Sequence, residues 1–239
     1  MLPRHMAVPA ACSPPRSRPW LRCIRADPFT AAHTYELHGV DGPLLSAIRH
    51  AVVKDVSCLA LDRLVLMKCT SPWEQEFIAL RMGQVPVAGV DATTGAAVDG
   101  DGAMFDAHVT APAPEDRPCE FTIVCSGDFR PFAGPAGAAA PKAALVHARS
   151  RAEAHLAGRG FQVVLLQPGQ EAHLRAVAHR GTGRQGTRWK CVHVTQMQGP
   201  PHAVKVLTLE TTGAVTAPEA LRLALQATEA RLRAAAASI

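Results

Sequence analysis

Residues 73–87 read WEQEFIALRMGQVPV. Phe77 and Leu80, flanked by Ala79 and Met82, recur at helical spacing, Glu74 and Glu76 sit in the first turn where the helix dipole favours acids, and Gly83 stands where the helix has to stop. Val85-Pro86-Val87 then commits the chain to an extended step that a helix does not contain. Alone, the stretch is one short helix laid on a core, and the segments on either side decide which core that is.

Upstream, residues 34–37 begin a short alternating segment that Gly39-Val40-Asp41-Gly42-Pro43 breaks. Leu44, Leu45, Ile48, Ala51 and Val52 then draw an apolar stripe along a helix over residues 44–54, with Arg49, His50 and Lys54 off the stripe. Residues 56–67, VSCLALDRLVLM, predict a strand broken near Asp62-Arg63, because the leucines change face there. Downstream, residues 88–118 turn to Gly, Asp, Ala and Pro, the composition of long loops, and CEFTIVCS (119–126) alternates like a half-buried strand. Residues 131–141 read as a flexible excursion and 142–156 as a helix. VVLLQPGQEAHLRAVA (163–178) predicts two strands about a Pro-Gly-Gln turn. Two more strands, 191–196 and 203–211, are separated by Gln198-Gly199-Pro200-Pro201, and Thr216-Ala217-Pro218-Glu219 opens a closing helix. Leu221, Ala224, Leu225, Thr228 and Leu232 mark one face of that helix to about residue 235.

In this setting EFIALRMGQVP resembles the Asp-Glu-Phe-Ile-Ala-His-Arg-Leu-Gly-Leu-Ile-Pro signature of the alpha-like assembly subunits of multisubunit RNA polymerases. The type it resembles is the one shared by the archaeal enzyme and by eukaryotic polymerase II, where it is the third-largest chain. Three further blocks follow the family in order. Ser46-Ala47-Ile48-Arg49-His50 resembles its Asn-x-Leu-Arg-Arg helix, with Ser for Asn and His for the second Arg. Gly169, Gln170, Leu174, Ala176, Ala178, Gly181 and Gly183 fall in register on its glycine-containing strand pair, ahead of Trp189. Glu210-Thr211-Thr212-Gly213 and the Pro218-Glu219-Ala220 helix resemble the end of its dimerisation domain.

The resemblance implies an α+β fold: an alpha-like dimerisation domain, an antiparallel sheet plus two helices, interrupted by a β-rich insert domain. Its division would be a tail over 1–27, a discontinuous dimerisation domain over 28–58 and 191–239, and an insert over 59–190. It further implies a non-catalytic scaffold inside the cell. This scaffold would heterodimerise with a smaller alpha-like polymerase subunit through Leu44, Leu45, Ile48, Val52, Leu221, Leu225 and Leu232. Arg49 and His50 would meet one of the two largest polymerase subunits, and the glycine-containing strand pair would face small assembly subunits. The signature positions are Glu76, Phe77, Ile78, Arg81, Gly83, Pro86, Gly181, Gly183 and Trp189. DNA is contacted only indirectly through the complex, no cofactor is implied, and the departures and trimmed insert fit a large DNA virus as one source.

Composition bounds the alternatives. The 239 residues are 48% hydrophobic and 19% charged, ordinary for a globular protein, and no apolar run approaches the roughly 18 residues of a membrane helix. The net charge of +5 invites a nucleic-acid reading, but residues 1–27 hold five arginines against Asp27 alone, which leaves 20 basic and 19 acidic residues for the rest. The basic character therefore belongs to a Pro- and Arg-rich tail, expected to be disordered. The seven cysteines form no CxxC pair, so no metal site is expected. Gly181-Thr182-Gly183-Arg184-Gln185-Gly186 spells GxGxxG, and the competing reading is a small-molecule enzyme that uses this loop for a nucleotide. That reading requires a helix directly after Gly186, whereas TRWKCVHV is strand-like.

Overall fold

The computed structural model describes residues 19–27, 31–88, 102–116, 120–132, 144–146, 160–197 and 204–238. Among these it is α+β, with three α-helices and mostly antiparallel strands.

A four-stranded antiparallel sheet has the order β1-β2-β12-β11, formed by Trp20–Asp27, Ala32–His38, Lys205–Thr211 and Val192–Met197. It thus joins strands from both ends of the chain. Two helices cover it, α1 (Gly42–Lys54) and α3 (Ala217–Ala237). The Asp41 side chain accepts the Leu44 N–H at 2.9 Å and the Asp55 N–H closes onto Ala51 O, so α1 begins and ends where its caps dictate. Tyr35, Leu37, Leu207 and Leu209 meet Leu45, Ile48, Val52, Leu221 and Ala224 in one hydrophobic cluster.

A six-stranded sheet, order β7-β5-β10-β3-β4-β8, encloses the second cluster. Its strands are β3 (Ser57–Cys69), β4 (Pro86–Ala88), β5 (Met104–Thr110), β7 (Arg130–Phe132), β8 (Ala144–Leu145) and β10 (Glu171–Thr182). The central strand β10 alternates buried Ala172, Leu174, Ala176 and Ala178 with half-buried, mostly polar Glu171, His173, Arg175, Val177 and His179, as a one-sided sheet requires. Helix α2 (Gln75–Met82) and a two-stranded sheet of β6 (Thr122–Cys125) and β9 (Gln162–Leu166) complete this unit.

Several expectations are corrected here. Residues 20–27 form β1, paired with β2 from Trp20↔His38 to Asp27↔Ala32 across a bulge at Ile24, so the tail cannot extend to residue 27 as disorder; residues 1–18 lie outside the described residues. The expected break at Asp62 is a β-bulge. Arg63 faces Val177 and Leu61 faces Ala178, so Asp62 is the extra residue and β3 runs on to Cys69. A second bulge, at Met67, changes face again. The strands on either side of the Pro-Gly turn are not partners: β9 pairs with β6, and β10 with β3 and β5. β5 occupies part of the stretch read as loop. Ala144–Leu145 pairs with β4 where a helix was expected, and residues 147–156 of that expectation lie outside the described residues.

Candidate partner-binding groove

Helices α1 and α3 pack on each other and leave a groove of about 540 Å³ against β1 and β2. Its walls are almost wholly apolar, from Trp20, Leu21, Leu37, Val40, Leu44, Ile48, Leu225 and Leu232. The one hydroxyl on the wall, Thr228, donates within its own helix to Ala224 O at 2.8 Å, so the groove offers no unused donor there. Glu229 and Arg233, ion-paired at 2.7 Å, form a charged rim.

The seven expected interface residues separate into two groups. Leu45, Val52 and Leu221 are 1%, 0% and 3% exposed, belong to the chain's own core and do not line the groove. Ile48 floors the groove and Leu44 is half-buried on its wall. Leu225 and Leu232, at 39% and 59%, stand out from α3. The sequence reading missed β1, whose Trp20, Leu21 and Ile24 are all exposed. Trp20 stacks on His38 with ring centroids 3.6 Å apart. The signal was present as three large apolar residues within WLRCI, but the surrounding arginines and prolines obscured it.

Arg49 and His50 lie off the groove. The Arg49 guanidinium comes within 3.4 Å of the His50 ring, and its Nε is buried without a hydrogen bond among the described residues. The signature residues of α2 divide by role. Ile78 and Met82 are buried, while Glu76 and Phe77 are exposed. Arg81 donates from Nε and Nη2 to Gln162 O (3.2 and 2.9 Å) and lies over the Trp73 and Phe77 rings, fastening α2 to β9. Gly83 ends the helix with φ of −63°, in ordinary right-handed geometry. Its small size suits the space instead, since a Cβ would sit 3.3 Å from Ala79 O. Pro86 is buried at the start of β4, opposite Ala60.

The glycines of GTGRQG are close-approach positions. A Cβ on Gly181 would lie 2.5 Å from the Trp189 ring, and one on Gly183 would lie 2.3 Å from Val53 O at the end of α1. Trp189 Nε1 donates to His179 O at 3.0 Å, holding the indole over Gly181. After Gly186 the chain makes a single three-residue 3-10 turn, Thr187–Trp189, and enters β11. The helix that the nucleotide reading required is not there, and the loop is filled by protein instead of phosphate. Arg184 pairs with Asp55 at 2.5 Å, and Asp55 also pairs with Arg231 of α3, so one carboxylate joins this turn to both helices. Among the described residues no group of three or more His, Cys, Asp or Glu could hold a metal, and no helix is long and apolar enough to cross a membrane.

No family model matches the chain. It is 25% identical over 177 residues to "DNA-directed RNA polymerases II, IV and V subunit 3" of Arabidopsis thaliana, a match that covers 70% of this chain and 53% of that protein. The matched region thus spans about half the length of the relative. Taken with the four signature blocks in their common order, this likeness makes the chain a distant relative of the alpha-like subunits of RNA polymerase.

Proposed function

We propose that the chain is a non-catalytic assembly subunit of a DNA-directed RNA polymerase, acting inside the cell. The four-stranded sheet with α1 and α3 is its dimerisation unit, the six-stranded sheet its insert, and a smaller alpha-like subunit packs into the groove between the helices. The resulting heterodimer organises the two large catalytic subunits. Arg49 and His50 are free of the groove to meet one of them, and the Gly181–Gly183 turn faces small assembly subunits.

The observation that carries the reading is the groove. An apolar channel of this size, walled by Leu225, Leu232, Trp20 and Leu21, is surface that a protein working alone keeps out of water. Burying a leucine fully is worth about 1.5–3 kcal/mol, so Leu225 and Leu232 suffice as anchors for a partner helix. The test is to co-express the full chain, β1 included, with a smaller alpha-like subunit from the same source and determine the mass of the product by light scattering. A 1:1 complex is expected. A full chain that is monodisperse alone and binds no such subunit would overturn the reading.

A further inference from the structure

Cys58 lies at the start of β3 and Cys191 immediately precedes β11, where the chain enters and leaves the six-stranded unit. Both thiols are buried within the cluster under α1 and α3 and lie close enough to shift each other's titration. Cys58 Sγ is also within 3.2 Å of Trp189 O as a donor, which ties its position to the Gly181 turn. The two cysteines share one small cavity of about 50 Å³ with Arg188 and Lys190 in its wall. That volume admits a molecule of water or hydrogen-peroxide size and excludes glutathione disulfide.

We propose that Cys58 and Cys191 are a peroxide-responsive dithiol whose disulfide staples the start of β3 to the start of β11, locking the two sheet units together. Contact with Cys58 holds the Cys191 thiol below its ordinary range, whereas contact with Cys191 and burial push Cys58 up, so Cys191 is the attacking thiolate. Its sulfur takes one oxygen of hydrogen peroxide as the O–O bond breaks, leaving a sulfenic acid on Cys191 and, with a proton, one water. The Cys58 sulfur then displaces the sulfenic oxygen, the S–O bond breaks, and the Cys58 proton leaves with that oxygen as a second water. Two thiols and one peroxide yield one disulfide and two waters.

The full reduced chain is treated with stoichiometric peroxide, its remaining thiols are alkylated, and it is digested with trypsin. The expected product is peptide 55–63 (DVSCLALDR) linked to peptide 191–205 (CVHVTQMQGPPHAVK), two hydrogens lighter than the pair and separated again by reductant. Glutathione disulfide should yield no such link in the folded chain. Oxidation should raise the thermal unfolding midpoint reversibly, and C58S should instead accumulate a sulfenic acid at Cys191 that dimedone captures. The proposal is overturned if wild-type peptides 55–63 and 191–205 are recovered alkylated or as unlinked sulfinic acids, or if the link forms without a change in midpoint. Because the wild-type map requires no variant, misfolding of C58S leaves the outcome decided.

Discussion

The two sheet units treat their apolar faces differently. The six-stranded unit closes its own core: α2 contributes Ile78 and Met82, β9 contributes Val163, Val164 and Leu166, and Phe105 fills the middle. Of the large apolar side chains it leaves in water, Val65 and Met67 stand on the solvated face of β3, while Phe77 and Leu80 on α2 and Phe121 and Ile123 at β6 lie outside any groove of the kind α1 and α3 form. The four-stranded unit buries one stripe of each helix and leaves a second. Leu45, Val52 and Leu221 face the sheet while Leu225 and Leu232 line an open groove beside Trp20 and Leu21. An element that follows one helical stripe inward and another outward is built for two neighbours. One neighbour is its own sheet, and in our account the other is a partner chain.

The largest expected effect separates these two stripes. L225D with L232D should weaken the partner complex by at least roughly 100-fold while the unfolding free energy of the isolated chain changes by less than about 0.5 kcal/mol. Calorimetric titration and denaturant melts read the two quantities. Loss of folding together with binding would mean that these leucines serve the chain's own core.

The joint between the units supplies the next test. Gly183→Ala places a Cβ against the Val53 carbonyl, backbone that cannot swing aside, and should cost about 2–3 kcal/mol by urea denaturation. A neutral result would show that the turn is loosely packed on α1.

Tyr35, the chain's one tyrosine, tests how dry the four-stranded core is. Burial, then the neighbouring Cys23, pushes its phenol from 10.0 up to about 12, and its hydroxyl has no hydrogen-bond partner among the described residues. The folded state therefore favours the neutral phenol. Its stability contribution is whole below about pH 10 and is lost as pH rises to about 12, on the order of 2 kcal/mol. Tyr35→Phe should remove that part of the alkaline loss and leave neutral-pH stability equal or slightly higher. Identical alkaline melts for the two proteins would contradict a buried phenol.

A smaller effect is expected at Asp55. Its carboxylate is nearly buried, but Arg184 and Arg231 are half-exposed and can return to water, so Asp55→Ala should cost about 1–2 kcal/mol and less in high salt. Salt-independent loss would assign the cost to packing.

What the sequence revealed followed from strong local rules. α1 and α3 announce themselves through Asp41, Pro43 and Pro218 at their starts and through apolar recurrence, and β10 through strict alternation. The stripe Leu44-Leu45-Ile48-Val52 was legible as apolar, but periodicity does not say which side of a helix meets its own sheet. Only the tertiary placement of β2 and β12 separates Leu45 and Val52 from Leu44. β1 was hidden because its pairing with β2 is a contact between segments and its composition is that of a tail. β9 and β10 were legible as two strands about one turn because turn chemistry is local, whereas the choice of β6 and β3 as their partners is not. The bulges at Asp62 and Met67 explain why the leucines of β3 change face without ending the strand.

The most direct test of the central claim is amide hydrogen exchange of the full chain with and without a smaller alpha-like subunit. The account predicts new protection concentrated in α3, the first turns of α1 and β1, with the six-stranded unit unchanged. Protection confined to the six-stranded unit, or none anywhere at saturating partner, would contradict the assignment of the groove as the dimerisation surface.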